Sequence, residues 1–344
     1  MPVDKAIFDK KNILVVGGAG FIGSHLCDEL VKENKVICID NFLTGTEDNI
    51  SHLLQHADFE FIKHDICNPL NLEALPELKE FRFEFQGVQE VYYLASPTSP
   101  ADFAKYPVET LLANSSGLRN ALDVAVKYNS KFFYASSPSV YGQAGTKPVK
   151  EDYAGLVNHL SKRSAYAEAK RFGESLVMNY SLKYNLDTKI ARIFNCYGPG
   201  MRLTDGRMIP EMIRLALNNE SIKIYGSQKS VGSYFYITDL IRGILKFVES
   251  TEKGPINFAS DWKNKFSDIA QKIIAISGSK SNIEFVETND IYSDQAIADI
   301  TAAKEKLGWF PVILLDEGLK QTFDYLEAQK GIRDPQAYIQ VSEA

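Results

Sequence analysis

No apolar run in the chain approaches the roughly 20 residues a membrane helix needs, so a membrane-spanning protein is not expected. The N-terminus, MPVDKAIFDKKNILVV, carries charges but no separate apolar segment leading to a small-residue cleavage site, so no signal peptide is read there. Positive charge is in short supply as well. Against 44 aspartates and glutamates stand 38 lysines and arginines, a formal net charge of −6, and non-specific nucleic-acid binding needs a basic face. Cysteine is scarce and scattered: Cys27, Cys38, Cys67 and Cys196 form no C-x-x-C pair. That usage suggests free buried thiols in a reducing cytoplasm, not disulfides or a metal site. Repeats and low-complexity segments are absent.

What is present describes an ordinary globular protein. The 344 residues are 45% hydrophobic and 24% charged, enough for one large domain or two interleaved ones. Apolar strand-like runs alternate with helix-spaced stretches from residue 12 onward: NILVV, KVICID, FEFIKHDI, VQEVYYLAS, KFFYASS and TKIARIFN. Helices are predicted around 104–128 and 164–184, and, after a Gly/Pro-rich turn, near 208–219, 237–249, 265–277 and 316–327. Such alternation builds a parallel sheet covered by helices on both faces. The polar tail after about 330 is expected to be poorly ordered.

Gly17, Gly20 and Gly23 stand between the first strand and the first helix, in the stretch GGAGFIGSH that also holds Phe21 and Ile22. Glycines there allow a tight turn and let a pyrophosphate reach the free N–H groups of a helix N-terminus. Asp40 ends the next strand, where a carboxylate accepts both ribose hydroxyls of NAD and repels a 2′-phosphate. Asn41 beside it, where an arginine would favour NADP, points the same way. The expected fold is therefore α/β, a Rossmann-type doubly wound parallel sheet with a smaller α/β C-terminal substrate domain. Its expected limits are 1–190 plus about 233–262 for the NAD-binding part, 191–232 and 263–330 for the substrate part, and 331–344 as tail.

The stretch YAEAK places Tyr166 and Lys170 on one helix face. A phenol with a pKa near 10 is a poor base at neutral pH. A neighbouring ammonium lowers that value and lets tyrosinate take a hydroxyl proton as hydride leaves. Tyr141 competes for the role, but it lies in a V-Y-G turn with no lysine four residues on, and reads as structural or pocket-lining.

Together GGAGFIGSH, Asp40, YYLAS, SSPSVYG, YAEAK and RIFNCYGPG resemble the extended short-chain dehydrogenase/reductase family, from about residue 11 to 328. Its members include the NAD-dependent nucleotide-sugar epimerases, dehydratases and decarboxylases. LASPTSPADFAKYPVET, RSAYAEAKR and RIFNCYGPGMRLTDGRMIP look most like the UDP-glucuronate decarboxylases among them. The resemblance implies NAD as cofactor and a nucleotide sugar oxidised at C4 with Tyr166 as base. It implies that Asp65 and Ile66 flank the adenine, Leu94, Ala95 and Ser96 the middle of the cofactor, and Lys170 the nicotinamide ribose. Ser136 and Ser137 hold the Ser/Thr positions that assist the tyrosine, and Asn195 is expected on the substrate. A homodimer or higher homo-oligomer through the helices at 104–128 and around Tyr166 is implied too.

The sequence departs from the pattern at three places. Decarboxylases and many sugar dehydratases carry glutamate two residues before the V-Y-G tyrosine; here Ser139 stands there. The diphosphate-binding arginine of the segment YGSQKSVGSYFYITDL falls on Gly232, with Lys229 nearby, and the arginine expected before the late P-D-I is missing from YSDQAIADI. Arg163, Arg202 and Arg207 remain as anion contacts for substrate, or as surface charges. The expected reaction is oxidation at C4 followed by epimerisation or release of the 4-keto sugar. The alternatives are decarboxylation, a dehydrogenase for an alcohol that is not a nucleotide sugar, and an NAD-sensing protein without catalysis; the last sits poorly with an intact Tyr166/Lys170 pair.

Overall fold

The computed structural model describes residues 10–142, 144–145, 147–161, 163–204, 206–287 and 296–333. Seven strands form one wholly parallel sheet: β1 (Asn12–Val16), β2 (Lys35–Asp40), β3 (Phe59–Lys63), β4 (Glu90–Tyr93), β5 (Lys131–Ser136), β6 (Thr188–Ile193) and, from much later in the chain, β11 (Ile256–Phe258). Their order is β11-β6-β5-β4-β1-β2-β3. The chain runs outward from β1 through β2 to β3, then returns to β1's other side for β4. That reversal opens a crevice at the C-terminal ends of β1 and β4, where open α/β sheets bind ligands.

The sheet's apolar strands follow from burial on both faces. Ile13, Val15, Val36 and Cys38 face one core, while their neighbours Leu14, Val16, Ile37 and Ile39 face the other. The first core is closed by α1 (Phe21–Leu30) and α8 (Ile237–Glu249), and the second by α5 (Leu118–Tyr128) and α6 (Ser164–Tyr184). A single turn, α2 (Phe83–Gln86), precedes β4.

The predicted helix at 104–128 is not one rod. It consists of α3 (Pro100–Lys105), α4 (Pro107–Leu112), a π turn at Ala113–Gly117, and α5. Pro107 has no N–H to donate, so α3 stops at Tyr106 and a new helix starts. Ser99 caps α3 by accepting the Asp102 N–H.

Beyond β6 the elements are shorter. Three two-stranded pairs, β7 (Asn195–Tyr197) with β10 (Tyr234–Tyr236), β8 (Ile222–Tyr225) with β13 (Ile283–Val286), and β9 (Val231–Gly232) with β12 (Asn264–Lys265), lie among α7 (Met208–Leu217), α9 (Phe266–Ser277), α10 (Thr301–Leu307) and α11 (Leu315–Arg333). The last helix runs past the predicted end near 327 to Arg333, and 334–344 fall outside the described residues. Trp309 pins this part to the sheet. Its indole N–H donates to the Asp239 carbonyl at 2.8 Å, and its ring meets Phe258 of β11 at 4.9 Å. Among the described residues no helix is long and apolar enough to cross a membrane, and no His/Cys/Asp/Glu group could hold a metal ion.

Candidate active site

Every site residue assigned from the sequence borders one cleft of about 1540 Å³ above the C-terminal ends of the sheet. Pockets for one drug-sized ligand measure about 300–1,000 Å³, so this cleft has room for a dinucleotide and a second ligand together.

At the cofactor end, β1 turns into α1 with no space to spare. Gly17 has φ +84°, and a Cβ on it would lie 2.6 Å from the Ala95 backbone nitrogen. A Cβ on Gly23 would lie 2.2 Å from the Gly17 carbonyl oxygen. Only hydrogen fits, so α1 begins close against the turn with its first N–H groups facing the cleft. Asp40 fixes the turn from the neighbouring strand, its carboxylate accepting the Ala19 N–H at 3.1 Å and the Phe42 N–H at 2.8 Å. Burial pushes the Asp40 pKa up, and those backbone donors pull against it. Asn41 accepts the Leu43 N–H, Asp65 accepts the Cys67 N–H, and Ser96 receives an N–H from Asn114. Asp40→Asn keeps the side chain's shape but removes its charge. It should weaken NAD binding about ten- to a hundredfold, the range lost with a charged hydrogen bond, while narrowing the preference over NADP. Titrating both dinucleotides against the variant tests this.

At the centre, the Ser137 hydroxyl lies beside the phenol of Tyr166 and favours its ionised form. Its ring is stacked on Phe103, with centroids 5.3 Å apart and planes 8° from parallel. Burial raises the Tyr166 pKa, and the Ser137 hydroxyl and the Arg207 and Arg163 charges act the other way. One turn on, Lys170 is buried, donates to the Ala135 carbonyl at 2.9 Å, and sits 5.0 Å over the Tyr134 ring. Burial brings its pKa down to about 7, opposed by the charge of Glu174.

The two serines, equivalent in the sequence, separate here. Ser137 caps the short 3₁₀ turn Pro138–Tyr141, accepting the Ser139 N–H at 3.2 Å, and is the one beside Tyr166. Ser136, read with it as a catalytic group, instead donates to Glu174 Oε1 at 2.6 Å. It ends β5, and successive residues of a strand point to opposite faces. Tyr141 is fully buried, donates to Asn257 Oδ1 at 2.7 Å and accepts from Arg192 Nη1 at 2.8 Å, a structural role. Ser139 borders the cleft, and its Oγ is sealed from bulk water without a hydrogen-bond partner in the protein.

At the far end, Arg207 donates to Thr98 Oγ1 at 2.6 Å, Arg202 pairs with Asp102, and Asn195 donates to the Ser233 carbonyl at 3.0 Å. Arg163 lies over the Phe103 ring at 5.9 Å, and burial lowers its pKa. Gly232 is closed off. A Cβ there would come within 2.6 Å of the Phe266 ring and 2.8 Å of the Tyr234 ring, so an arginine has no room. Lys229 and Lys263 border the cleft on that side. Residues 288–295, where the late arginine was sought, are outside the described residues.

Four residues that shape the site went unassigned from sequence. Phe103 supports the tyrosine ring; Asn114, in the π turn, accepts the Tyr134 hydroxyl at 2.8 Å; Glu174 and Arg192 form a two-pronged ion pair with bonds of 2.9 and 2.7 Å. Glu174 had a signal, the i, i+4, i+8 spacing from Tyr166. Arg192 had another, a lone charge in the middle of the strand IARIF.

A parallel sheet with this reversal, bearing a glycine cradle and a strand-end carboxylate at its crevice, defines a dinucleotide-dependent enzyme fold, and the residues present fit NAD. The chain belongs to the NAD dependent epimerase/dehydratase family, whose sequence model matches residues 13–259, within the extended short-chain dehydrogenases/reductases. It is 35% identical over 322 residues to UDP-glucuronic acid decarboxylase 1 of Danio rerio, covering 93% of this chain and 74% of that protein. UDP-glucuronic acid decarboxylase 5 of Arabidopsis thaliana is also 35% identical over 322 residues, with 92% and 90% covered. Among solved structures, the UDP-glucuronic acid 4-epimerase of Bacillus cereus in complex with UDP-glucuronic acid and NAD superposes with a TM-score of 0.79 at 29% identity, over 92% of this chain and 99% of that one.

Proposed function

We propose that the chain oxidises a nucleotide-linked sugar at C4 and then epimerises it or releases the 4-keto sugar. In this reading the parts around 191–232 and 263–330 hold the sugar and its diphosphate, and the sheet holds the cofactor. Bound in the crevice, NAD supplies the hydride acceptor. Tyr166 takes the proton of the C4 hydroxyl, Lys170 favours its ionised form by charge, and Ser137 donates to the oxygen as it becomes a carbonyl. The stacked Phe103 keeps water from one face of the phenol.

The observation that carries the choice among second steps is Ser139. A decarboxylating or dehydrating site uses a carboxylate at that position to move a proton or hold the twisted ring. A serine hydroxyl is neutral at any ordinary pH and does neither as an anion. Its Oγ has no partner in the protein, and a turn of the side chain toward the cleft would offer that hydroxyl to a sugar hydroxyl. Decarboxylation is the second reading, favoured by the 35% identity to UDP-glucuronic acid decarboxylases over most of the chain.

The test is incubation with a panel of nucleotide sugars that includes UDP-glucuronic acid, followed by product mass, stereochemistry and NADH absorbance. Unchanged mass with inverted C4 indicates epimerisation, and loss of two hydrogens with NADH accumulating indicates release of the keto sugar. Carbon dioxide from UDP-glucuronic acid at a rate matching oxidation would overturn the preference. Turnover of simple alcohols but no nucleotide sugar would overturn the substrate class.

A further inference from the structure

On α6, Tyr166, Lys170 and Glu174 follow one another at four-residue steps, each rising about 6 Å along one helix face. The first two are the proposed base and its cation. Glu174 does not reach the cleft, yet it is the most firmly held carboxylate near it. Its Oε1 receives Arg192 Nε at 2.9 Å and the Ser136 hydroxyl at 2.6 Å, and its Oε2 receives Arg192 Nη2 at 2.7 Å. Three donors from two strands thus fix both oxygens. Arg192 is in turn held by the Glu151 carbonyl at 2.8 Å and by the Tyr141 hydroxyl, which is anchored on Asn257. The second tyrosine of the sequence therefore belongs to this network and not to the reacting centre.

We propose that Glu174, clamped by Arg192 and Ser136, is a positioning residue that sets the charge of Lys170. The proposal rests on the reading of Tyr166 and Lys170 given above. Facing Lys170 from β5 are the Tyr134 ring and the Ala135 carbonyl; one turn away on its own helix are Tyr166 and Glu174; from β6, Arg192 is paired with Glu174. Glu174 is the one group whose charge favours the ammonium against burial. The clamp matters for two reasons. It fixes both carboxylate oxygens in place, and it meters their field: each donor on Glu174 withdraws negative charge that would otherwise act on Lys170.

A merely structural ion pair and a charge-setting one predict different pH profiles. Glu174→Gln keeps the side chain's shape and an acceptor for Ser136 but removes the charge. Lys170 should then lose its proton more readily, and the alkaline limb of turnover should move down by about one pH unit. Ser136→Ala leaves the ion pair in place and removes one donor from the carboxylate. The field on Lys170 strengthens, and the same limb should move up by a few tenths of a unit, roughly a twofold change in the deprotonation constant. Opposite shifts from neighbouring substitutions are not a structural effect. Uniform loss of turnover with unmoved limbs in both variants would overturn the proposal, as would Ser136→Ala lowering turnover without a shift, since that marks a direct contact with substrate.

A second readout uses the NAD-free chain. Lys170 is depressed to about 7 when folded, so its contribution makes stability rise with pH from about 7 towards the ordinary lysine range. In Glu174→Gln that rise should begin at lower pH, seen as a change in the melting-temperature difference from wild type between pH 5 and 8. A constant difference overturns the proposal even if Tyr166→Phe proves active and the catalytic reading fails. Should Glu174→Gln not accumulate, Ser136→Ala decides in both assays.

Discussion

Tyr166→Phe should lower turnover by about 10²–10⁴-fold, the contribution of a positioned acid–base group, while melting temperature and NAD affinity stay close to wild type. Phenylalanine keeps the ring stacked on Phe103 and the apolar burial that goes with it. What disappears is one hydroxyl, which lies beside that of Ser137. Even a full hydrogen bond from that hydroxyl is worth only about 0.5–1.5 kcal/mol of stability, too little to unfold a domain with two large cores. On the proposed function the effect should therefore fall on kcat, and equally on every nucleotide sugar turned over, because the first step is common to every product it allows. Steady-state kinetics with a thermal melt measures both halves. A variant within a few fold of wild type would place the base elsewhere and end the C4-oxidation mechanism as drawn.

Much of this site was legible in one sequence because its parts are local. Gly17, Gly20 and Gly23 lie in a single turn, and Tyr166 and Lys170 in a single helical turn, so spacing alone puts each set together. The sheet was legible for a similar reason: strands buried on both faces are continuous apolar runs, and NILVV, KVICID and KFFYAS are hard to read otherwise. What stayed hidden is contact between distant segments. Nothing in the sequence shows that Arg192 of β6 reaches Glu174 of α6, or that Phe103 of α3 lies flat on Tyr166. Ser136 and Ser137 were indistinguishable as letters. The strand's alternation and the cap on the following 3₁₀ turn separate them, and both require knowing where β5 ends. The break at Pro107 was the opposite case, a local signal outweighed by the apolar spacing around it.

The glycines of the turn have different reasons to be glycine, and substitution should tell them apart. A Cβ on Gly23 meets backbone only: the Gly17 oxygen at 2.2 Å, the Gly18 Cα at 2.7 Å and the Gly17 carbonyl carbon at 3.0 Å. No side chain can swing aside, so α1 must move away from β1 and carry its N–H groups with it. Overpacking of this kind costs about 1–3 kcal/mol and occasionally more. Gly23→Ala should therefore melt several degrees lower and lose NAD affinity by about a hundredfold or more, at 1.4 kcal/mol for each factor of ten. Gly20 has an ordinary φ of −76° and only the Gly17 oxygen near its Cβ position, at 3.3 Å. Gly20→Ala should fold almost as well as wild type. Because Gly20 borders the cleft, its added methyl group would stand where the pyrophosphate approaches, and NAD should bind about ten times more weakly. Differential scanning calorimetry with NAD titration separates the two outcomes. Gly20→Ala binding NAD at full strength would remove the pyrophosphate from this turn, and Gly23→Ala melting like wild type would show that α1 has slack the packing does not reveal.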